Sequence, residues 1–199
     1  YVEFIAPALI AISIMNSSFF ECTYGSFVRM YFQRTFDAII ATPISIEEVI
    51  AGELLWGATR SLMSSTIVLA VVAAFGLIKS PWFVLIPPIA FLGGLMFSSM
   101  AMCFTSMAPN IDFFNYPAFL FITPMFLLSG TFFPITALPW PVQVIAYAFL
   151  PLTHAVNLAR GLMVGNLQLS MLLNVVWIAA VTSVFFLLCI KLMKRKLIK

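Results

Sequence analysis

Long apolar runs separated by short polar breaks dominate the pattern along the chain. These runs cover residues 4–20, 54–78, 82–107, 113–133 and 169–192. Crossing the hydrocarbon core of a bilayer takes roughly 17 to 25 helical residues, so each run is long enough to span it. Because a helix satisfies its own backbone hydrogen bonds in lipid, the pattern predicts an all-α, polytopic membrane helix bundle with five transmembrane helices in this chain.

The stretch 21–53 departs from this pattern. Its apolar side chains recur at helical spacing, at Tyr24, Phe27, Val28 and Tyr31, and polar ones fall on the opposite face, at Arg29, Gln33 and Asp37. This spacing predicts an amphipathic helix, either an extension of the first span or a helix on the membrane surface. Pro43 then interrupts the pattern, and Ser45 followed by Glu48 predicts a capping box that begins the next helix.

The segment 131–165 carries apolar runs that are too short to span and are separated by prolines. The prolines stand at Pro134, Pro139, Pro141 and Pro151. Since proline ends or kinks a helix, this spacing predicts short re-entrant or interfacial helices between the last two spans.

Composition and charge fit a membrane protein and set its orientation. The chain is 63% hydrophobic and 9% charged, and five of its ten basic residues lie within 191–199. Because basic residues favour the cytoplasmic side, we expect this tail and the loop 21–53 in the cytoplasm, with Tyr1, Lys79 and 131–165 outside. An outside Tyr1 predicts a sixth span ahead of it. We treat 1–199 as a single permease domain.

Ionisable groups are nearly absent from the predicted spans. Ion-coupled carriers need a carboxylate or histidine within the membrane, and a P-loop ATPase needs GxxxxGK[ST]; the sequence has neither pattern. Transport would therefore draw its energy from a separate subunit docked on 21–53. The cysteines Cys22, Cys103 and Cys189 are isolated, so we expect buried thiols and no metal site. The lone His154 is expected to make a structural hydrogen bond.

Four runs resemble segments of one transporter family. They are FVRM at 27–30, QRTFDAIIATPIS at 33–45, FITPMFLLSGTFFP at 121–134 and LPLTH at 150–154. They are similar to the first cytoplasmic loop, the fifth span and the outer helices of type-2 ABC exporter permeases, and the loop looks closest to the nodulation-type lipooligosaccharide branch. The resemblance implies an inner-membrane homodimer that binds two ATPase subunits, which carry the ATP and Mg, with no cofactor on this chain and no nucleic-acid partner.

The same resemblance assigns a coupling helix to 37–45. The candidate ATPase-coupling residues are Arg34, Asp37, Ile39, Ile40, Thr42, Pro43, Ile44 and Ser45. We expect the three isoleucines to anchor the contact, because a few buried apolar side chains supply most of an interface's energy, and the charged pair to lie at its rim. A solvated connector between two spans is the alternative.

Candidate substrate contacts are less specific. The residues that could line a path are Asn16, Ser17, Phe19, Phe121 and Met125, and Arg160 could meet an anionic headgroup or a pyrophosphate outside. Interhelical hydrogen bonding, ordinary packing and snorkelling are the alternatives. The exported amphiphile could be a lipooligosaccharide, a polysaccharide, a lipid-linked glycan or a hydrophobic drug.

Two other functions remain open at the level of sequence. A non-transporting membrane anchor or assembly factor would show the same apolar pattern. An intramembrane lipid-modifying enzyme would need clustered carboxylates, whereas Glu3, Glu21 and Asp112 are scattered along the chain. Arg60 follows Glu53 and Trp56 on the second span, which predicts a structural ion pair or a cation–π contact there.

Overall fold

The computed structural model describes residues 1–166 and 168–197, and all regular secondary structure in that part of the chain is helical. The helices are α1 (Val2–Phe32), α2 (Thr35–Ile40), α3 (Ile46–Ala74), α4 (Pro81–Met107), α5 (Ile111–Leu128), α6 (Trp140–Phe149), α7 (Pro151–Val164) and α8 (Leu169–Leu197). Five of them, α1, α3, α4, α5 and α8, are long and apolar enough to cross a membrane. The predicted five-span bundle is confirmed.

Helix α1 is longer than a bilayer is thick. Its 31 residues extend about 46 Å at 1.5 Å per residue, against about 30 Å of hydrocarbon. The helix is regular to Phe20 and then contains two π-helical segments, Glu21–Gly25 and Val28–Phe32. The amphipathic stretch is therefore an extension of the first span. The predicted polar face is wrong beyond Arg29, because π-helical turns break the 3.6-residue period and the chain reverses before Asp37.

The core lies where α1 packs between α3, α4 and α7. It is built from side chains such as Ile10, Met15, Phe19, Met96, Phe97 and Val156, all essentially fully buried. A second, smaller core joins α2 to α3, α4 and α8, and it includes Phe36, Ile50, Leu54, Met102 and Met193. We call the end of the bundle that carries this second core and residues 33–45 the inner end. The opposite end, which carries Tyr1 and Lys79, is the outer end.

Small side chains let α3 and α4 approach closely. The series Ala90, Gly94 and Ser98, spaced four residues apart, faces α3, where Ser61 Oγ donates to Ala90 O at 3.0 Å. A Cβ added at Gly94 would overlap Ser61, and one added at Gly57 of α3 would overlap Ser98. This is a small-xxx-small helix contact, and its geometry requires glycine at both positions.

Helix α5 is the least regular span. It is a succession of 3-10, α and π turns, with Pro117 and Pro124 inside it, because each proline removes a backbone donor from the helix. The span was predicted to run to residue 133, but it ends at Leu128, since Gly130 adopts a φ of 73° that reverses the chain. Its side chains Phe119 and Leu120 are 70% and 75% exposed, so one face of α5 has no partner among the residues that the structure describes.

Helices α6 and α7 form a bent pair. They contain 10 and 14 residues, meet at 90°, and are joined at Leu150, whose extended backbone is what a following proline favours. Neither helix could cross a bilayer alone. The segment begins near Gly130, whose carbonyl accepts from Arg160, and ends at Gly165 beside Ser80 of the α3–α4 connection. Both ends therefore lie at the outer end, in agreement with the predicted re-entrant helices.

Candidate functional site

The inner end presents the short helix α2 between two reversals of the chain. Arg34 has a left-handed φ of 51°, which turns the chain away from α1. After α2, Thr42 Oγ1 donates to Ile39 O at 2.5 Å. Ser45 then caps α3, and its backbone N–H donates to Glu48 Oε2 at 2.7 Å, which completes the predicted capping box. These bonds set the position of α2 relative to the start of α3.

An apolar anchor holds α2 against the rest of the chain. Phe36 is 1% exposed and belongs to the second core. Ile39 and Ile40, which the sequence indicated as anchors for a partner, pack partly against the same core. Of the three predicted isoleucines only Ile44 is exposed, at 45%. Ile39 and Ile40 are partly buried because α2 packs with its Phe36 side against the core, and the two isoleucines lie next to that side.

The exposed part of the loop forms one polar surface with a single large apolar side chain. Six candidate residues are exposed there: Arg34, Asp37, Thr42, Pro43, Ile44 and Ser45. We call these six residues the loop surface. The loop surface carries both signs of charge, at Arg34 and Asp37, and the anchored helix α2 keeps it in place.

A cluster of charged side chains ties α1 to α3 immediately above this loop. Arg29 Nη1 contacts Glu21 Oε1 at 2.9 Å, and its Nε and Nη2 donate to the two carboxylate oxygens of Glu53 at 2.9 and 2.6 Å. Arg60 and Trp56 complete it, since Arg60 Nη1 lies 3.4 Å from Glu21 Oε2 and Trp56 Nε1 donates to Glu21 Oε1 at 2.9 Å. We call these five residues the charged clamp.

Sequence reasoning missed the clamp. It placed Arg60 in a structural contact with its own helix, and it regarded Glu21 as isolated. The ion pair exists, but the partner of Arg60 is Glu21 on α1. A signal was available: three charges, Glu21, Arg29 and Glu53, lie in the stretch between the apolar runs 4–20 and 54–78, close to the membrane boundary, where charges need partners.

Further polar bonds fasten the other helices at the same end. Thr105 of α4 donates to the carbonyl oxygen of Cys22 at 2.7 Å, in the first π-helical segment of α1. Lys196 Nζ of α8 donates to the carbonyl oxygens of Thr105 and Ala108 at 2.9 and 2.8 Å, and so caps the end of α4. Lys194 of α8 forms an ion pair with Glu47 at the start of α3. The base of the loop is thus connected to four helices.

The structure separates the candidate path residues into two groups. Phe19 and Met125 are fully buried in the main core, and Phe121 is partly buried against it, so these three side chains pack within the chain. Asn16 and Ser17 are partly exposed on the face of α1 that the core leaves open. Of the predicted path, Phe19 and Met125 are closed off, whereas Asn16, Ser17 and Phe121 keep part of their surface exposed.

The outer candidates make internal contacts. The guanidinium of Arg160 lies 4.0 Å above the ring of Phe4, and Nη2 donates to Gly130 O at 3.1 Å. His154 makes the predicted structural hydrogen bonds: Nδ1 lies 2.7 Å from the carboxamide of Asn174, and Nε2 lies 3.0 Å from Tyr147 O. The three cysteines are buried, as predicted.

Comparisons with known proteins agree with this architecture. Residues 1–164 match the family model described as ABC-2 type transporter. The chain is 34% identical to nodulation protein J of Rhizobium meliloti (strain 1021), over 99% of this chain and 75% of the relative. It is 36% identical to nodulation protein J of Rhizobium leguminosarum bv. viciae, over 100% of this chain and 76% of the relative.

A more distant relative is the inner membrane transport permease YadH of Escherichia coli (strain K12), 26% identical over 70% of this chain and 54% of the relative. No solved structure matches the chain. The family match and the apolar helices make this a multi-pass inner-membrane protein and a transporter, and they argue against the lipid-modifying enzyme. The chain belongs to the ABC-2 type transporter family, as a membrane-spanning permease.

Proposed function

We propose that this permease is the membrane-spanning subunit of an ATP-driven exporter, and that the loop surface is where its ATPase docks. The observation that carries the proposal is an exposed Ile44, flanked by charges, on a loop whose helix is anchored internally by Phe36. An anchored loop moves with the helices beneath it, which a solvated connector would not do. ATP and Mg would be bound by the partner, with no cofactor on this chain.

The charged clamp supports a route from the loop to the spans. It lies directly above α2 and joins α1 to α3, so that displacement of the loop would move both helices together. A bidentate arginine–carboxylate pair such as Arg29 with Glu53 fixes orientation as well as distance. Binding and hydrolysis of ATP on the partner would then alternately open and close the inner end.

A second copy of the chain is needed for a path. The side chains of Phe19 and Met125 close the interior of one copy. Helices α1 and α5 meet at the rings of Tyr24 and Phe114, 5.1 Å apart, and each also leaves a face exposed: Asn16 and Ser17 on α1, Phe119 and Leu120 on α5. Two copies that face each other across these surfaces would form a closed, symmetric dimer with the polar pair toward its axis.

The exported molecule is an amphiphile in this proposal. Lipooligosaccharide, polysaccharide, lipid-linked glycan and hydrophobic drug remain the alternatives, and the similarity to the nodulation proteins favours the first. Contact between Arg160 and an anionic headgroup stays a prediction, because its internal bonds leave part of the guanidinium uncommitted. A membrane anchor without transport is the remaining rival, and the loop surface distinguishes the two.

Copurification of the ATPase tests the docking site. The tagged permease is purified in mild detergent, and the bound protein that carries a GxxxxGK[ST] loop is quantified together with ATP hydrolysis. We expect Ile44→Asp to weaken this association roughly thirtyfold, since a central interface anchor contributes about 2 kcal/mol. Ile44→Met, which keeps an apolar side chain of similar size, should retain both signals.

Two results would contradict the proposal. One is an Ile44→Asp, Asp37→Arg double variant that binds the ATPase at the wild-type ratio, because docking would then lie elsewhere. The other is a wild-type permease that inserts, is folded and copurifies with no ATPase, which would favour the anchor.

A further inference from the structure

An open cavity at the outer end is lined by the densest group of carboxamides in the chain. It has a volume of about 600 Å³ and lies between α7, the first turns of α8 and the end of α6. The chain contains six asparagines and three glutamines, and four of these nine line the cavity: Asn157, Asn166, Gln168 and Asn174. Tyr147 and Arg160 also line it. We call this space the outer cavity.

Two residues of the cavity lining, Asn174 and Tyr147, are held in place by contacts with His154. His154 Nε2 lies 3.0 Å from Tyr147 O, and His154 Nδ1 lies 2.7 Å from Oδ1 of the Asn174 carboxamide. His154 stacks on Trp177 at 4.1 Å, which fixes the imidazole plane. Asn174 and Tyr147 are thus held in position at the edge of the cavity.

The charge of the outer cavity narrows the class of ligand. Its lining includes Arg160 and no carboxylate, and none of the carboxylates in the described residues lies within ion-pair distance of Arg160. A cationic ligand is therefore disfavoured. An acyl chain alone would leave the carboxamides without partners, at a cost for each buried group. Hydroxyl groups both donate and accept, as carboxamides do, so a sugar ring matches this lining.

An apolar groove continues from the outer cavity. It has a volume of about 380 Å³ and is lined by leucines and other aliphatic side chains of α4, α7 and α8, such as Leu85, Leu158 and Leu172. The groove and the cavity share Gln168 and Met171, so they form one elongated site with a polar and an apolar half. A glycolipid is divided in the same way, into a polar sugar headgroup and apolar acyl chains.

We propose that the outer cavity binds the glycosyl headgroup of a glycolipid and that the apolar groove takes one of its acyl chains. The role of this site in export, as a place that receives the amphiphile on the outer side, rests on the function proposed above. Binding itself does not depend on the ATPase, so it can be measured separately.

Native mass spectrometry of the full-length protein, in a detergent without a sugar headgroup, tests the binding. The protein is titrated with glucosyl diacylglycerol, with the matched diacylglycerol and with phosphatidylglycerol of the same chains. We expect the glucosyl lipid to bind at least about tenfold more tightly than diacylglycerol, because its hydroxyl groups form hydrogen bonds with the carboxamides that diacylglycerol cannot form. It should also bind more tightly than phosphatidylglycerol.

Side-chain variants locate the site. Asn157→Leu with Gln168→Leu should remove the preference for the glucosyl lipid, whereas Asn115→Leu, an exposed carboxamide at the inner end, should leave it unchanged. Leu172→Asn should weaken all three lipids and leave their order unchanged. If the double variant does not fold, the single variant Gln168→Ala, at an exposed position, tests the same preference.

The outcomes separate this inference from the docking proposal. Equal binding of the glucosyl lipid and diacylglycerol would overturn the glycolipid proposal. A preference for the glucosyl lipid that survives the cavity variants would also overturn it. Stronger binding of phosphatidylglycerol would assign the cavity to an anionic headgroup. Loss of the ATPase in Ile44→Asp with glycolipid binding intact would support both proposals, and lipid binding without any ATPase association would support this one alone.

Discussion

The two ends of the bundle are held by different kinds of interaction. At the inner end, the charged clamp joins α1 to α3 through a bidentate ion pair whose side chains are only 14% to 24% exposed. At the outer end, the contacts are mostly neutral: His154 bonds to Asn174 and to a backbone carbonyl, and Arg160 rests on the ring of Phe4. Among the described residues, the outer end has a single ion pair, Glu3 with Lys79, and it is mostly exposed.

This contrast indicates that the two ends differ in how easily they can rearrange. Separating a partly buried ion pair leaves charges without partners, so the inner end resists local distortion and passes motion on. Neutral hydrogen bonds contribute about 1 kcal/mol each and can be exchanged for bonds to water or to a ligand. The outer end is therefore the part of the bundle that can rearrange at low cost, and the bent pair α6–α7 lies there.

Removing the central cation of the clamp should have the largest effect. Arg29→Leu leaves the Glu53 carboxylate with Ser26 alone and Glu21 with Trp56 and the more exposed Arg60, so we expect the protein to lose about 3 kcal/mol of stability. Thermal unfolding of the purified protein measures this. Arg195→Leu, an exposed arginine at the same end, is the control and should change the melting temperature little. Equal shifts of the melting temperature in the Arg29→Leu and Arg195→Leu variants would show that the clamp does not stabilise the inner end.

Removing the central outer histidine should have an intermediate effect. His154→Leu takes away both bonds and the stacking on Trp177, with an expected loss of about 2 kcal/mol, because Asn174 and a carbonyl lose their partner. His154→Gln, which can keep one of the bonds, should lose less. If His154→Leu cost more than Arg29→Leu, the proposed contrast between the two ends would be reversed.

Breaking the exposed outer ion pair should have the smallest effect. Lys79→Met removes the Nζ that lies 2.7 Å from Glu3 Oε2, yet both side chains are more than half exposed, so we expect only a small loss of stability. High salt should screen this pair and remove the difference between variant and wild type, whereas the effect of Arg29→Leu should persist. Salt titration of both variants therefore sharpens the comparison.

The spans and the bent outer segment could be predicted from sequence for simple reasons. Apolar runs report crossing helices directly, and Pro151 together with its short neighbours marked the bend. The ends of the spans were less accurate. The chain leaves α5 at Leu128 because of a positive φ at Gly130, which is a property of backbone geometry that an apolar sequence there does not reveal.

The site was harder to predict, because its parts come from different helices. Glu21 and Glu53 lie on α1 and α3, and only the packing of those helices brings both carboxylates to Arg29. The two π-helical segments also shift the side chains after Phe20 off the regular period. On α2, no sequence pattern indicates which apolar side chain turns inward, and Phe36 packs into the second core together with part of Ile39 and Ile40.

The glycine contact between α3 and α4 bears on how the chain enters the membrane. The two helices follow each other in translation, separated only by residues 75–80, and they meet over Gly57 and Gly94 without space for lipid between them. Ser61 finds its acceptor, Ala90 O, within the same pair. We therefore expect this hairpin to leave the translocon as one unit, with α1 packed on it before α8 has been synthesised.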